Sequence, residues 1–493
     1  MSTNQKSKKG NLTADIVVIG GGGAGLMAAA VAAEAGAKNI VILEKAASPG
    51  GNTAMAAGIF AVESPVQKRL GIRATRDEVF KGLMKNSRWL VDPRVVRAFV
   101  NKSGEVIQWL ENKGMEFTSV NEIMPGGVPF AHMISTQNEG VHCGFRLIDT
   151  LTQSCRKESI QVLCETAAKK IILDEKGRVS GVLAGSKGRE IKIDAKSAII
   201  AAGGFGGNME MLNKYFMSHG NVKGNTLPQM TGDGITMAEE AGASIDTNFA
   251  ILLIGPNYSE GMNPLDLLVM RPDVMLVNKK GERYTDESLF LNYHNWSGNA
   301  LNRQPDKISF ALFDSAMKRH LINEKESLSR FFDTMGGNGA WLKTLEENLQ
   351  KEAAAGRMFR AESLETLARQ IGIDPRALKA AADQYNSFCD NGYDADFLKD
   401  KKFLLPLRTP PYYAVPGHQN FDTTLGGIRV NRNMEVVNKQ FDPIGGLYAA
   451  GDNAGSWLSQ NYDLTYPGVA MGFALCSGFI AGESAASYLK SRE

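Results

Sequence analysis

The chain predicts an α/β fold: a parallel sheet built from βαβ units, interrupted by an antiparallel meander and carrying an inserted α+β segment. Three observations predict it. Residues 14–19, ADIVVI, are an apolar run of buried-strand length that ends in the glycine-rich stretch 20–25, with small helix-forming residues directly behind it. A second apolar run, 39–43, ends in the acid Glu44. Between residues 254 and 414 the strand–helix rhythm breaks, which marks an insertion rather than more of the same sheet.

Taken in order, Ala28, Ala29, Ala30, Ala32 and Ala33 let the first helix pack close to the sheet, and Gly36 ends it. Strand, glycine turn, helix, strand and placed acid together make a Rossmann-like dinucleotide-binding unit. Gly20, Gly22, Gly23, Ala24 and Gly25 bring backbone N–H groups to a pyrophosphate at a helix N-terminus, and Glu44 accepts from ribose hydroxyls. The next residues, 45–58, are a long loop of small side chains able to lie under a flat ring, which favours FAD over NAD; Lys45, Gly51, Asn52, Thr53, Ala57 and Gly58 are its candidate contacts. The run 174–194, with turns at Lys176-Gly177 and Lys187-Gly188, reads as the meander. Inside the insertion, 274–278 and 283–285 read as a hairpin around Lys280-Gly281. Residues 363–370 and 375–385 read as helices, the second capped by Asp374.

At 493 residues and 43% hydrophobic content there is material for two domains. Lysine plus arginine number 55 against 53 acids, a net charge of +2, so no overall field recruits nucleic acid or an anionic surface. Five cysteines show no CxxC spacing, which excludes zinc ribbons and redox pairs and fits a reducing compartment. The tail 1–11 is polar and lysine-rich with no apolar core behind it. The expectation is a cytoplasmic protein in which no run approaches transmembrane length.

These motifs resemble the flavoprotein family of fumarate reductases, succinate dehydrogenases and 3-ketosteroid dehydrogenases. The resemblance runs nearly end to end. Residues 51–58 look like the stretch that contacts the isoalloxazine, and 197–208, with Ala202 and Gly203, like the turn near the adenine half. Residues 231–234, TGDG with Asp233, precede a helix at 236–241; 446–452 look like the C-terminal strand whose acid, here Asp452 after Gly451, holds the ribityl chain. Ala168 is placed with these cofactor contacts. The resemblance implies a Rossmann-like FAD-binding domain (13–253 with 415–493, after a flexible tail 1–12) and a capping domain, 254–414, that closes over the flavin. Covalent relatives carry flavin on a histidine in the ring loop; the stretch around Asn52 has none, so non-covalent FAD is implied.

Such a site needs a substrate carbon near the flavin, a proton source and donors for the developing oxyanion. The resemblance implies arginines for a dicarboxylate, and their places are altered. Leu291 stands four residues after Glu287, residues 422–427 read DTTLGG without the family's histidine, and 462–470 read YDLTYPGVA where the family has an arginine. The substrate expected is therefore a neutral, bulky enone or steroid. The stretch 466–468 resembles the TYPG of 3-ketosteroid dehydrogenases, which makes Tyr466 the candidate oxyanion donor, with Gly468, Val469 and Ala470 opening a helix toward flavin and substrate. Tyr293 is a second candidate and Tyr462 a lining one. His294 and His132 read as structural, and His142 finds no metal partner. Arg271, Arg283 and Arg303 are candidates for lining or ion pairs, and Phe130, Phe290, Trp296 and Trp457 for an apolar wall or core. The function implied is hydrogen transfer at a C–C bond next to a carbonyl, with a separate electron donor or acceptor. The alternatives are reduction of an unsaturated carboxylate, as in fumarate or urocanate reductases, and an electron-transferring subunit.

Overall fold

Strand β1 (Leu12–Ile19) shows no polar alternation because both its faces are covered; Ile16, Val17 and Val18 are wholly buried. The chain is described here from a computed structural model over residues 12–56, 58–122, 128–135, 143–216, 222–224, 226–258, 264–292, 294–323, 340–462 and 465–492. Strand β2 (Ile40–Leu43) lies parallel to β1, from Ile16 opposite Ile40 to Ile19 opposite Leu43, and helix α1 (Gly23–Glu34) crosses between them. The other neighbour of β1 is Arg189–Ile200, also parallel, which begins as the last arm of an antiparallel meander with Thr166–Leu173 and Val179–Ser186. Lys187 and Gly188, at φ 50° and 76°, form the tight turn of that meander. Pro443–Ala449 extends the parallel sheet on the far side of Arg189–Ile200.

The C-terminal helix, Val469–Lys490, packs along α1 because its glycines allow it. A Cβ on Gly478 would stand 2.3 Å from the Ala24 carbonyl oxygen, and one on Gly482 2.4 Å from that of Ala28. The helix corrects one expectation. Its 22 residues are long and apolar enough, by composition, to cross a membrane, and 78% of its most apolar stretch is buried inside the fold.

A second sheet runs in the order Met275–Asn278, Ile308–Asp314, Tyr412–Leu425, Ala250–Asn257, Gln460–Asn461. The expected hairpin is present at its tip only, where the Asn278 N–H donates to the Glu282 carbonyl at 2.9 Å. Met275–Asn278 pairs with Ile308–Asp314, and residue 283 makes only a single bridge, to Val277. Beyond that turn the Arg283 guanidinium points inward to Glu287 and Asp394, 2.9 and 2.8 Å away, and Lys399 joins Glu287 at 3.2 Å. The apolar run 308–313, unread in the sequence, supplies the strand on the other edge of Met275–Asn278. Helix Leu364–Gln370 is capped by Ser363; the next, Pro375–Asn391, outruns the expected 375–385 and stops at Gly392 in the left-handed conformation. Buried apolar side chains form two clusters, one from residues 14–253 with 421–489 and one from 258–415. The strand Tyr412–Leu425 passes through both, with Tyr413 in the second and Phe421 in the first.

Candidate active site

The carboxyl ends of β1, β2 and Arg189–Ile200 open on a cleft. Gly20, at φ 109°, lies so near the next strand that a Cβ would stand 2.2 Å from the Ala201 carbonyl oxygen. Gly22, Gly23 and Ala24 line the cleft at the start of α1, whose N-cap, Gly22, offers no capping side chain; the Gly23 N–H donates to Thr53 Oγ1 at 3.1 Å. Backbone amides and the positive end of the helix thus face the cleft, the arrangement a pyrophosphate requires. The Glu44 carboxylate is buried and pinned: Oε2 accepts from the Gly21 N–H at 2.8 Å and Oε1 from the Ala46 N–H at 2.7 Å. Lys45 Nζ reaches both Thr231 Oγ1 and Asp233 Oδ2 at 2.8 Å. Asp233 starts the helix Asp233–Glu240 three residues before the expected position, because Gly232 at φ 80° makes the N-cap turn.

Gly51, Asn52 and Thr53 reach the cleft on a 3-10 turn, Gly51–Met55, within the loop expected to be irregular; Ala168, Ala202 and Gly203 line it as well. On the far side stand Gly451 and Asp452, on a turn whose Gly451 N–H donates to Ser477 Oγ at 2.9 Å. Burial lifts the Asp452 carboxyl to about 6, against the opposing effect of the Thr423 hydroxyl, 3.1 Å from Oδ2. A glycine cradle at a helix N-terminus, a ribose-side acid and a second acid at the opposite end fit the two halves of a flavin dinucleotide.

Some candidates sit elsewhere. Gly25 serves packing, since a Cβ there would stand 2.0 Å from the Gly20 carbonyl oxygen. Gly58 opens the strand Gly58–Phe60 and lies under Gly468, and Val469 is buried. Ala57, Tyr293 and His142 lie outside the described residues. The sequence reading also missed wall residues: Thr166, Ala167 and Ala474 carry no motif, and Met230 is placed only by the fold, its Sδ beside Gly203 and its Cε beside Gly51.

A second cavity shares Asn52, Thr53, Asp452 and Ala474 with the cleft and adds Met55, Ala56, Asp422, Thr423, Ala470 and Met471. Asp422 and Thr423 both enter its wall because the pairing of Tyr412–Leu425 with Ala250–Asn257 slips between Phe421 and Thr424, a bulge that re-aims side chains. At the N-terminus of the C-terminal helix, the Val469 N–H donates to the Tyr466 carbonyl at 3.2 Å, and the Ala470 N–H to the Tyr462 hydroxyl at 3.3 Å. Tyr462 thus caps the helix. Tyr466 is buried against Phe60 and Phe130, with its hydroxyl so close to Gly82 that a Cβ there would stand 1.7 Å away. The geometry does not bring Tyr466 into the wall of either cavity.

The remaining candidates are accounted for by packing and pairing. His132 is buried, with Nε2 2.6 Å from Ser64 Oγ and Nδ1 facing the Ile59 and Phe130 carbonyls; desolvation lowers it to about 4, so it is neutral. Arg271 pairs with Asp273 at 2.6 Å, and Arg303 is exposed. Phe130 and Trp457 belong to the first cluster and Phe290 to the second, while Trp296 is partly exposed. Among the described residues no group of acids, histidines and cysteines could hold a metal.

The FAD binding domain family matches residues 15–468. The chain is 29% identical over 466 residues to the vinyl phenol reductase of Lactiplantibacillus plantarum, covering 91% of this chain and 92% of that one. It is 28% identical over 441 residues to the urocanate reductase of Eggerthella lenta, covering 86% and 67%. Among solved structures it is similar to the 3-ketosteroid-Δ4-(5α)-dehydrogenase of Rhodococcus jostii in complex with 4-androstene-3,17-dione, at TM-score 0.75, 23% identity and 98% of each chain. A flavocytochrome c3 fumarate reductase gives TM-score 0.73 at 24% identity, over 97% of this chain and 79% of that one. At such identities the two structures speak for the fold alone.

Proposed function

This chain belongs to the FAD binding domain family and is an FAD-dependent oxidoreductase; from that premise we propose that it reduces the carbon–carbon double bond of a neutral, conjugated substrate, an enone or an aryl alkene. The observation that carries the proposal is the wall of the cavity beside the cofactor cleft, where Asp422 and Asp452 both stand. A substrate carboxylate placed there meets like charge in a partly desolvated site. The buried Arg271 and Arg283 are already committed to acids, and Leu291 stands where the resemblance implies a proton-donating arginine. The vinyl phenol reductase relative supports a neutral conjugated alkene.

FAD held in the cleft would supply a hydride to one alkene carbon, and the neighbouring carbon would take a proton from solvent, which saturates the bond. The chain's own residues hold and orient the cofactor and line the space beside it. The amides of α1 and the buried Glu44 would orient the dinucleotide, Asp452 would accept from the ribityl hydroxyls, and Ala56 and Met471 line the second cavity with apolar surface. The cofactor is held non-covalently, since the ring loop carries Asn52 in place of a histidine. Acid precipitation is expected to release all the flavin.

The test is product analysis. With reduced viologen dye as electron donor, the holoenzyme should saturate enones or aryl alkenes and leave fumarate and urocanate untouched. Turnover of fumarate or urocanate at a comparable rate would overturn the proposal.

A further inference from the structure

The geometry points to Asp422 as the residue that selects the substrate, by accepting a hydrogen bond from a hydroxyl group carried on the conjugated alkene. The inference deepens the functional reading above and rests on it.

The second cavity is rich in acceptors. Of the donors at its wall, Asn52 and Thr53 are shared with the cofactor cleft, the Thr423 hydroxyl points to Asp452 at 3.1 Å, and the Ala470 N–H donates to Tyr462. The Val469 N–H next to it goes to the Tyr466 carbonyl. What the wall presents instead are two carboxylates of different placement. Asp452 faces both the cofactor cleft and the second cavity, whereas Asp422 lines the second cavity only. The first is thus positioned for the cofactor's hydroxyls and the second for the substrate. Asp422 also interacts within the protein, and a carboxylate has about four acceptor positions.

The fold also explains how the residue comes to be there. The bulge between Phe421 and Thr424 turns two consecutive side chains toward one cavity, where a regular strand would show one. A polar site of this kind rejects an analogue that lacks the donor more strongly than an apolar pocket rejects an extra methyl group, because its acceptor is then left desolvated and unpaired. A hydroxyl suits the site better than an ammonium ion, whose own desolvation in such a cavity costs far more. The class selected is a hydroxylated conjugated alkene, with the hydroxyl at the end of the molecule away from the reacting bond.

The test compares a 4-hydroxyaryl alkene with its methyl ether, which keeps the shape and removes the donor. Binding of the two corresponding saturated products to the oxidised holoenzyme is followed by the change in flavin absorbance, and reduction of the two alkenes is followed with reduced dye. Wild type, Asp422→Leu and Asp422→Asn are compared at matched flavin content. Wild type should favour the hydroxyl compound by about 10- to 100-fold, the value of one hydrogen bond to a charged acceptor. Asp422→Leu should bring the ratio near one, and Asp422→Asn, which keeps an acceptor oxygen, should lie between. A preference that persists in Asp422→Leu, with both alkenes reduced, would overturn this inference alone. Reduction of neither alkene by wild type would overturn the functional reading and this inference together.

Discussion

Glu287 holds the cap together, and Glu287→Gln tests that physically. Glu287, Asp394 and Lys399 show no exposed side-chain surface and Arg283 only 5%, so two cations and two anions are buried as a neutral set. Burial alone would raise the Glu287 carboxyl, but Lys399 and Arg283 outweigh it and hold the group below its ordinary range. Gln keeps the shape and leaves one uncompensated positive charge, a change that costs about 3–5 kcal/mol. Lys399 limits the loss. It relieves the site by giving up its proton, which for an ordinary lysine at pH 7 costs about 5 kcal/mol, so the penalty saturates there. A lysine with a lowered folded pKa binds fewer protons folded than unfolded, so the variant should regain stability as pH rises from 7 toward 10, by up to about 1.4 kcal/mol per unit. Guanidinium denaturation of the FAD-loaded protein at several pH values, followed by far-UV circular dichroism, measures this. The double variant Glu287→Gln with Lys399→Met restores neutrality and should be more stable than Glu287→Gln alone. A single variant within about 1 kcal/mol of wild type, or a double variant no better than the single, would refute the reasoning.

Three further outcomes are expected. His132, neutral down to about 4 while its unfolded counterpart protonates near 6.5, makes the unfolded state bind the extra proton between those values. Stability should therefore fall by about 3 kcal/mol as pH drops through that window, and His132→Gln should flatten the slope in pH-dependent denaturation. Asp452, lifted to about 6 by burial, accepts more strongly from a ribityl hydroxyl when ionised, so FAD affinity of the apoprotein should weaken below pH 6, by at most about tenfold per unit. Asp452→Asn should bind more weakly without that slope in fluorescence titration. Gly482→Val drives a Cβ to 2.4 Å from the Ala28 carbonyl and should cost about 3 kcal/mol or more in the same denaturation assay, since both partners are backbone of packed helices.

What was legible in the sequence obeyed local rules. The unit from residue 14 to 44 follows from an apolar run, a glycine turn and a placed acid, each specified within a few residues. The hairpin at 274–285, formed only at its tip, shows where locality stops. Lys280-Gly281 marks a turn that forms, yet the long ladder of Met275–Asn278 is made with a strand some 30 residues on. Gly25 shares a motif with cofactor-facing glycines, and only three-dimensional packing shows that it seats helix on strand. The altered positions of 422–427 were visible as a departure, but that Asp422 and Thr423 face one cavity follows from a bulge that no sequence pattern announces. The cleft residues Thr166, Met230 and Ala474 were missed because their contribution is shape, which leaves no chemical signature.

The decisive measurement is anaerobic stopped-flow absorbance at the flavin band, with photoreduced holoenzyme mixed in turn with enones, hydroxylated aryl alkenes, 3-ketosteroids, fumarate and urocanate. Rapid reoxidation by the neutral conjugated alkenes, with no response to fumarate or urocanate, is the predicted result. Reoxidation by fumarate or urocanate would contradict it, and would mean that a carboxylate is tolerated beside Asp422 and Asp452.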